Sequence, residues 1–248
     1  MIRVALAACL MLVPATAPAQ TATAPAPPVN NEYRLTAFPT HPLPGPFTGF
    51  GYLGYVNNTG KEVTTYYLGW PGVVYKPVKW LEGWGGLIYV WNDVTNGSNT
   101  HELRPFVGAK IYIPNSVHMN LFSFTRVEWR NVTTDDTGEK NDRVRIRSRF
   151  GFEAPLSSRP WDIKTAYVLG DLEPMYETNV HAITTVRARA GVGYVANHHL
   201  RVEVIYHLQV SRKDPSDPLA YSDNIFRLNL KIGIKKGLLQ RLSGAEPE

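Results

Sequence analysis

One cysteine, Cys9, is all the thiol chemistry in a chain of 248 residues. That excludes an internal disulfide and any metal site built from several thiolates. Long apolar runs are missing too: no stretch approaches the ~18 consecutive apolar residues of a membrane-spanning helix, so a chain that crosses a bilayer must cross it with strands. No segment repeats apolar residues with a helical period. Charge of one sign is also scarce. The 26 Lys and Arg against 21 Asp and Glu leave +5 at pH 7, too small an excess to point to nucleic acid. The length suffices for one domain with a full core or for one closed barrel.

The first residues look unlike a core. Met1, Ile2 and Arg3 form a short basic start, Val4 to Val13 are apolar, and Ala17-Pro18-Ala19 before Gln20 reads as a small-residue cleavage site. The expectation is an export signal over residues 1–19. Leu6-Ala7-Ala8-Cys9 resembles a lipoprotein box, but little apolar chain precedes Cys9 and the apolar run continues beyond it. Cleavage after Ala19 removes the cysteine and Arg3, leaving 25 basic against 21 acidic residues, or +4. Residues 20–46 are rich in Pro and Ala and read as an extended, mostly unstructured lead-in, and residues 237–248 read as a polar C-terminal tail.

From Phe47 to residue 236 the pattern has period two. Ten segments stand out, near 47–56, 62–75, 79–92, 102–113, 118–130, 143–154, 162–176, 183–195, 199–211 and 223–234. In the ninth, Leu200, Val202, Val204, Tyr206, Leu208 and Val210 share one face, and Arg201, Glu203, His207, Gln209 and Ser211 the other. Short links (YKPVKW, IPNSV, the PLSSRP region, VANHH) alternate with more polar ones (VNNTGKE, NVTTDDTGEKND, SRKDPSDPLAYSD). This predicts an all-β, up-and-down antiparallel meander of about ten strands, with both termini at the tight-turn end.

Alternation alone fits either a soluble sandwich or a transmembrane β-barrel. Runs of ten residues or more, aromatic residues closing the apolar faces (Tyr89, Trp91, Trp129, Tyr176, Tyr194, Tyr206) and the export signal favour the barrel. An arginine facing hydrocarbon would cost several kcal/mol, so the row Arg143, Arg145, Arg147 and Arg149 must face the lumen. The same face predicts a lumen charge network of Arg126, Glu128, Arg130, Arg143, Arg145, Arg147, Arg149, Glu153, Asp171, Glu173, Arg187, Arg189, Arg201, Glu203, His207, Arg227 and Lys231. Counting outward from the turns sets Glu128 beside Arg145, Arg145 beside Asp171, Asp171 beside Arg187, Arg187 beside His207 and His207 beside Arg227, as one interior layer. Interlocked side chains would plug the barrel or leave a narrow passage favouring anions.

The stretches HELRPF (101–106), RVRIRSRFGFE (143–153), YVLGDLEPMY (167–176), VRARAGVGY (186–194), LRVEVIYHLQ (200–209) and DNIFRLNLK (223–231) resemble, in that order, a family of exported bacterial proteins, domain of unknown function 2490. The resemblance covers about residues 60–236 and implies an outer-membrane barrel of a Gram-negative cell, with the bilayer and the outer-membrane assembly machinery as partners. It implies no substrate and carries over no catalytic residue. GLLQRLSGAEPE after the last strand departs from the usual terminal aromatic of such barrels.

Catalysis is the weaker expectation. A lipid A deacylase-like enzyme needs a Ser and a His within proton-transfer reach, whereas His207 and Ser211, four residues apart on one strand, lie ~13 Å from each other. His198-His199 sits in a tight turn, and Gly191-x-Gly193 lacks the third glycine of a dinucleotide loop and reads as strand glycines making room for a bulky neighbour. No metal, cofactor or enzymatic activity is expected. A soluble exported β-sandwich or lipocalin-like module that binds an apolar ligand is the other class that fits, and the sequence names no small solute for the barrel.

Overall fold

A computed structural model of the chain describes residues 29–116, 119–157, 162–212 and 214–234. The expected export signal, the start of the lead-in and the C-terminal tail lie outside the described residues.

Eleven strands close into one barrel: β1 (Asn30–Pro42), β2 (Phe47–Asn58), β3 (Val63–Val78), β4 (Leu81–Val94), β5 (Thr100–Ile113), β6 (Asn120–Thr134), β7 (Lys140–Pro155), β8 (Thr165–Glu177), β9 (Ala182–Asn197), β10 (Leu200–Ser211) and β11 (Ala220–Gly233). Each strand pairs antiparallel with the next in sequence, and the barrel closes where β1 runs parallel to β11, from Asn30 opposite Asp223 to Thr40 opposite Gly233. An odd number of alternating strands forces one parallel seam. It also puts the start of β1 and the end of β11 at opposite ends, which overturns the expectation that both termini share the tight-turn end.

The added strand is β1, inside the stretch expected to be an unstructured lead-in. Its alternation is real but hidden: Glu32, Thr36 and Thr40 are buried inside while Tyr33 and Leu35 are exposed outside, and Pro39 and Pro42 disguise the pattern. The barrel therefore spans 30–233 rather than 47–236. The expected contrast in link length also dissolves. Strands of up to 16 residues absorb much of the polar loops, leaving links 59–62, 95–99, 135–139, 178–181 and 212–219 at one end and 43–46, 79–80, 114–119, 156–164 and 198–199 at the other. The two sets differ in composition, with overlapping lengths.

The outward face is apolar along the middle of most strands, with Thr125 and Ser148 meeting at 3.0 Å across β6 and β7 as a polar break in it. Leu68, Val107, Val192 and Val204 are each more than half exposed. Aromatic residues gather toward the two rims, as in the row Tyr55, Tyr66 and Trp91, with ring centroids 5.7 and 5.5 Å apart, and at the other end Phe47 on Tyr75 at 4.9 Å. Among the described residues, the charged side chains on this face are Asp93, Lys140 and Asp142, all at strand ends beside the first set of links.

The predicted interior layer holds in its faces but not in its register. Glu128 does lie opposite Arg145, but Arg145 lies opposite Glu177 rather than Asp171. The ladder pairs Pro155 with Tyr167, so its centre falls later in the chain than the middle of the PLSSRP stretch suggests. Asp171 and His207 both lie opposite Arg189 rather than Arg187, and Arg227 lies opposite Ile205 rather than His207. Bulges at Met175/Tyr176, Leu200/Arg201 and Gln209/Val210 shift these ladders, and turn counting cannot see a bulge.

Candidate functional site: a basic lumen with an aromatic wall

Period-two geometry sends every second residue of each strand inward, and on β5 to β11 these positions carry most of the charge. Glu128 of β6 is wholly buried, with Arg126 Nη2 at 2.6 Å and Arg147 Nη1 at 3.1 Å. Arg147 bridges on to Glu173 of β8 at 2.8 Å, and Arg149 reaches the same carboxylate at 3.4 Å. Toward the 135–139 end, Arg130 donates two hydrogen bonds to Glu102, at 2.6 and 2.7 Å, and Arg104 donates two more, at 2.7 and 3.0 Å. Glu177 accepts from Arg145, with Arg130 and Arg143 at 3.7 Å. Arg189 meets Asp171 at 2.5 Å. Toward the other end, Lys231 lies 2.5 Å from Glu203 and 3.4 Å from Glu153, and Tyr167 and Asn229 each donate to Glu203 at 2.6 Å.

These side chains surround a cavity of about 580 Å³. Twelve arginines and two lysines line it against three carboxylates, Glu153, Asp171 and Glu203. Adding the buried acids Glu32, Glu82, Glu102, Glu128, Glu173, Glu177 and Asp223 brings the carboxylates to ten, still fewer than those cations. The register sharpens the imbalance by setting Arg34 opposite Arg227, Arg126 opposite Arg147, Arg130 opposite Arg143 and Arg201 opposite Lys231. Like charges directly opposite are destabilising unless something negative or well hydrated lies between them. Arg187 and Arg227 form no ion pair among the described residues. Arg187 donates to Gln209 at 2.5 Å, and Arg227 donates to Thr36 at 3.0 Å.

Of the seventeen residues read from the sequence as lumen charges, fifteen line this cavity, and Glu128 and Glu173 sit behind the arginines that bind them. The sequence reading missed Glu32 and Arg34, which lie in the unrecognised β1. It also missed Glu102, Arg104, Lys110 and Glu177. Glu102 and Arg104 alternate with Leu103, so their signal was present; Glu177 was hidden in what read as a loop. The aromatic part of the lumen gave no signal. Phe38, Phe50, Trp84, Phe106, Phe122 and Phe124 from β1, β2, β4, β5 and β6 face inward and line the same cavity.

His207 is 1 % exposed among arginines, and its ring nitrogens have no hydrogen-bond partner among the described residues. Ser211 sits two inward positions further along β10, where it shares hydrogen bonds with Ser222 and Thr185. Among the described residues, no hydroxyl is hydrogen-bonded to the His207 ring. No group of three or more His, Cys, Asp or Glu is placed to hold a metal among the described residues. Gly193 has a steric role: a Cβ there would stand 2.2 Å from the Tyr167 ring, the ring whose hydroxyl holds Glu203.

A family model described as "Protein of unknown function (DUF2490)" matches residues 50–219. None of the curated proteins matches the chain.

Proposed function

Because the chain belongs to the DUF2490 family of proteins of unknown function, its role has to be read from the barrel itself, and we propose that it is a bacterial outer-membrane β-barrel whose hydrated, basic lumen forms a narrow, anion-favouring passage. The observation that carries this reading is the inversion of sides. Asp, Glu, Lys and Arg are almost never fully buried in water-soluble proteins, and exposed apolar patches there are small. Here Glu82, Glu128 and His207 are 1 % exposed or less, while Leu68, Val192 and Val204 stand more than half exposed on the outer face. A bilayer supplies the apolar surroundings that face requires, and the rows of Tyr, Trp and Phe toward its two edges suit the interfacial zones. The closed ladder leaves no strand edge in hydrocarbon.

The passage is narrow because side chains cross it. Lys231 of β11 reaches Glu203 on the adjacent β10 and Glu153 on β7, four strands away. Cations exceed carboxylates along the cavity, so a small anion entering it meets a favourable field and a cation does not. The test is reconstitution of the full chain into planar bilayers under a KCl gradient. The expected result is a small conductance with a reversal potential on the chloride side, from a protein that needs detergent for dispersal and migrates faster on gels before heating. A chain that stays dispersed without detergent and leaves the bilayer silent overturns the reading, and a reversal potential on the potassium side overturns the anion preference.

A further inference from the structure

Aromatic rings are the unexplained part of the lumen. A passage for small hydrated anions gains nothing from them, yet they form a connected wall. Phe38 stacks on Phe50 with ring centroids 5.1 Å apart, Phe50 meets Trp84 at 5.2 Å and Phe106 at 6.3 Å, and Trp84 meets Phe124 at 5.5 Å. All five line the cavity together with the arginines. The two regions join without a gap, because Phe124 lies opposite Arg149 across the β6–β7 ladder and Phe38 lies opposite Lys231 across the seam. Arg126 caps the edge of the wall, its guanidinium 5.6 Å from the Phe106 ring centre.

On the basic side, three arginines stand out. Arg149, Arg189 and Arg227 come from β7, β9 and β11 and all line the cavity. Each keeps spare donor capacity. Arg149 Nε and Arg189 Nη2 are buried without a hydrogen-bond partner among the described residues, and Arg227 spends its contacts on Thr36 and Asn229 without meeting a carboxylate. Guanidinium groups with unused N–H bonds, crowded by like charge, recognise a planar or tetrahedral oxyanion by paired hydrogen bonds.

We propose that the lumen is a binding site for one anionic amphiphile, its carboxylate or phosphate head held by Arg149, Arg189 and Arg227 and its apolar body laid on Phe38, Phe50, Trp84, Phe106 and Phe124. The cavity of about 580 Å³ is of the size that takes a small organic molecule, and an apolar wall with a few convergent polar groups is the usual make-up of such sites. This deepens the anion-favouring reading of the same lumen. It turns an unselective preference for negative charge into selection for a head joined to a greasy body, and bound ligand would block the passage.

The probe is 1-naphthoate, titrated by equilibrium dialysis against the full chain in a neutral detergent, with protein-free micelles as the blank. One saturable site per barrel is expected, binding at least tenfold more tightly than 1-naphthalenemethanol, which lacks the charge, or inorganic phosphate, which lacks the body. Arg227→Gln is expected to weaken naphthoate at least tenfold, with Arg227→Lys intermediate and the heat-dependent gel shift unchanged in both. Octanoate, used below its own micelle concentration, separates the sources of the body: tighter binding than naphthoate assigns an acyl chain, weaker binding a ring system, and either upholds the site. Uptake no greater than that of the micelles, phosphate binding as tight as naphthoate, or an Arg227→Gln affinity equal to the parent overturns the proposal. If the chain proves soluble without detergent, the membrane reading fails, and the same titration in plain buffer still decides the site.

Discussion

Glu128→Gln removes one charge from the centre of the network without changing shape. Glu128 is fully buried, and it is the carboxylate that meets Arg126 Nη2, at 2.6 Å. Arg147 loses its 3.1 Å contact as well, but it keeps Glu173 at 2.8 Å. The cost is therefore concentrated on one guanidinium, left in place without a counter-charge. Removing one partner of a buried ion pair typically costs about 3–5 kcal/mol, and the retained Arg147–Glu173 bridge argues for the lower end, about 3 kcal/mol. With a urea slope of about 3 kcal/mol/M, the unfolding midpoint falls by about 1 M. Tryptophan fluorescence of the chain in micelles across a urea series reads that shift directly. Arg126→Gln added to Glu128→Gln takes away the stranded charge and is expected to bring the midpoint most of the way back. A single variant within about 0.5 kcal/mol of the parent, or a double variant no better than the single, refutes the view that these charges are mutually compensated.

Gly193→Ala drives a methyl against Tyr167, whose ring atom lies 2.2 Å from the new Cβ position, and is expected to destabilise by about 1–3 kcal/mol in the same urea series. In a Tyr167→Ala background the same glycine change is expected to be nearly neutral, and equal costs in both backgrounds would refute the fit. Val204→Arg puts a guanidinium on the outer face of β10, where Val204 is 58 % exposed. For a barrel refolded into bilayers it is expected to cost about 2–4 kcal/mol if the site lies near the midplane, whereas a soluble sandwich with that face in water would scarcely register it.

Sidedness was legible in the sequence where polarity alternates cleanly, as in β7, β10 and β11. Arg145 against Ile146, or Arg227 against Leu228, leaves no doubt about which residues share a face. On β1 to β4 the same logic fails, because both faces carry aromatic residues. Phe50 and Trp84 point inward while Phe47 and Tyr55 point outward, so the aromatic wall had no polarity signal to give, and on β1 the alternation was disguised by Pro39 and Pro42. Glu177 was lost for a different reason: β8 continues through it, although the segment read from the sequence stops at Tyr176 and the polar residues after it read as a loop.

The register errors share one property. Arg145 was expected opposite Asp171 and lies opposite Glu177, six residues on; Asp171, His207 and Arg227 were each misplaced by two. Every error is even, and that follows from the energetics. A slip of one residue would turn Arg143, Arg145, Arg147 and Arg149 outward together and bring Val144, Ile146 and Phe150 into the lumen, a change no neighbouring contact could offset. A slip of two keeps every charge inside, so only local fits oppose it. These include the pocket that Gly193 leaves for the Tyr167 ring, the bulge at Gln209/Val210, and ion pairs such as Arg145 with Glu177. The charged lumen thus specifies which face is inside at high cost to the alternatives, while the choice among even registers rests on glycines, bulges and individual ion pairs. Buried charge here secures sidedness first, and the Gly193 and Glu128 variants separate that role from the finer selection of register.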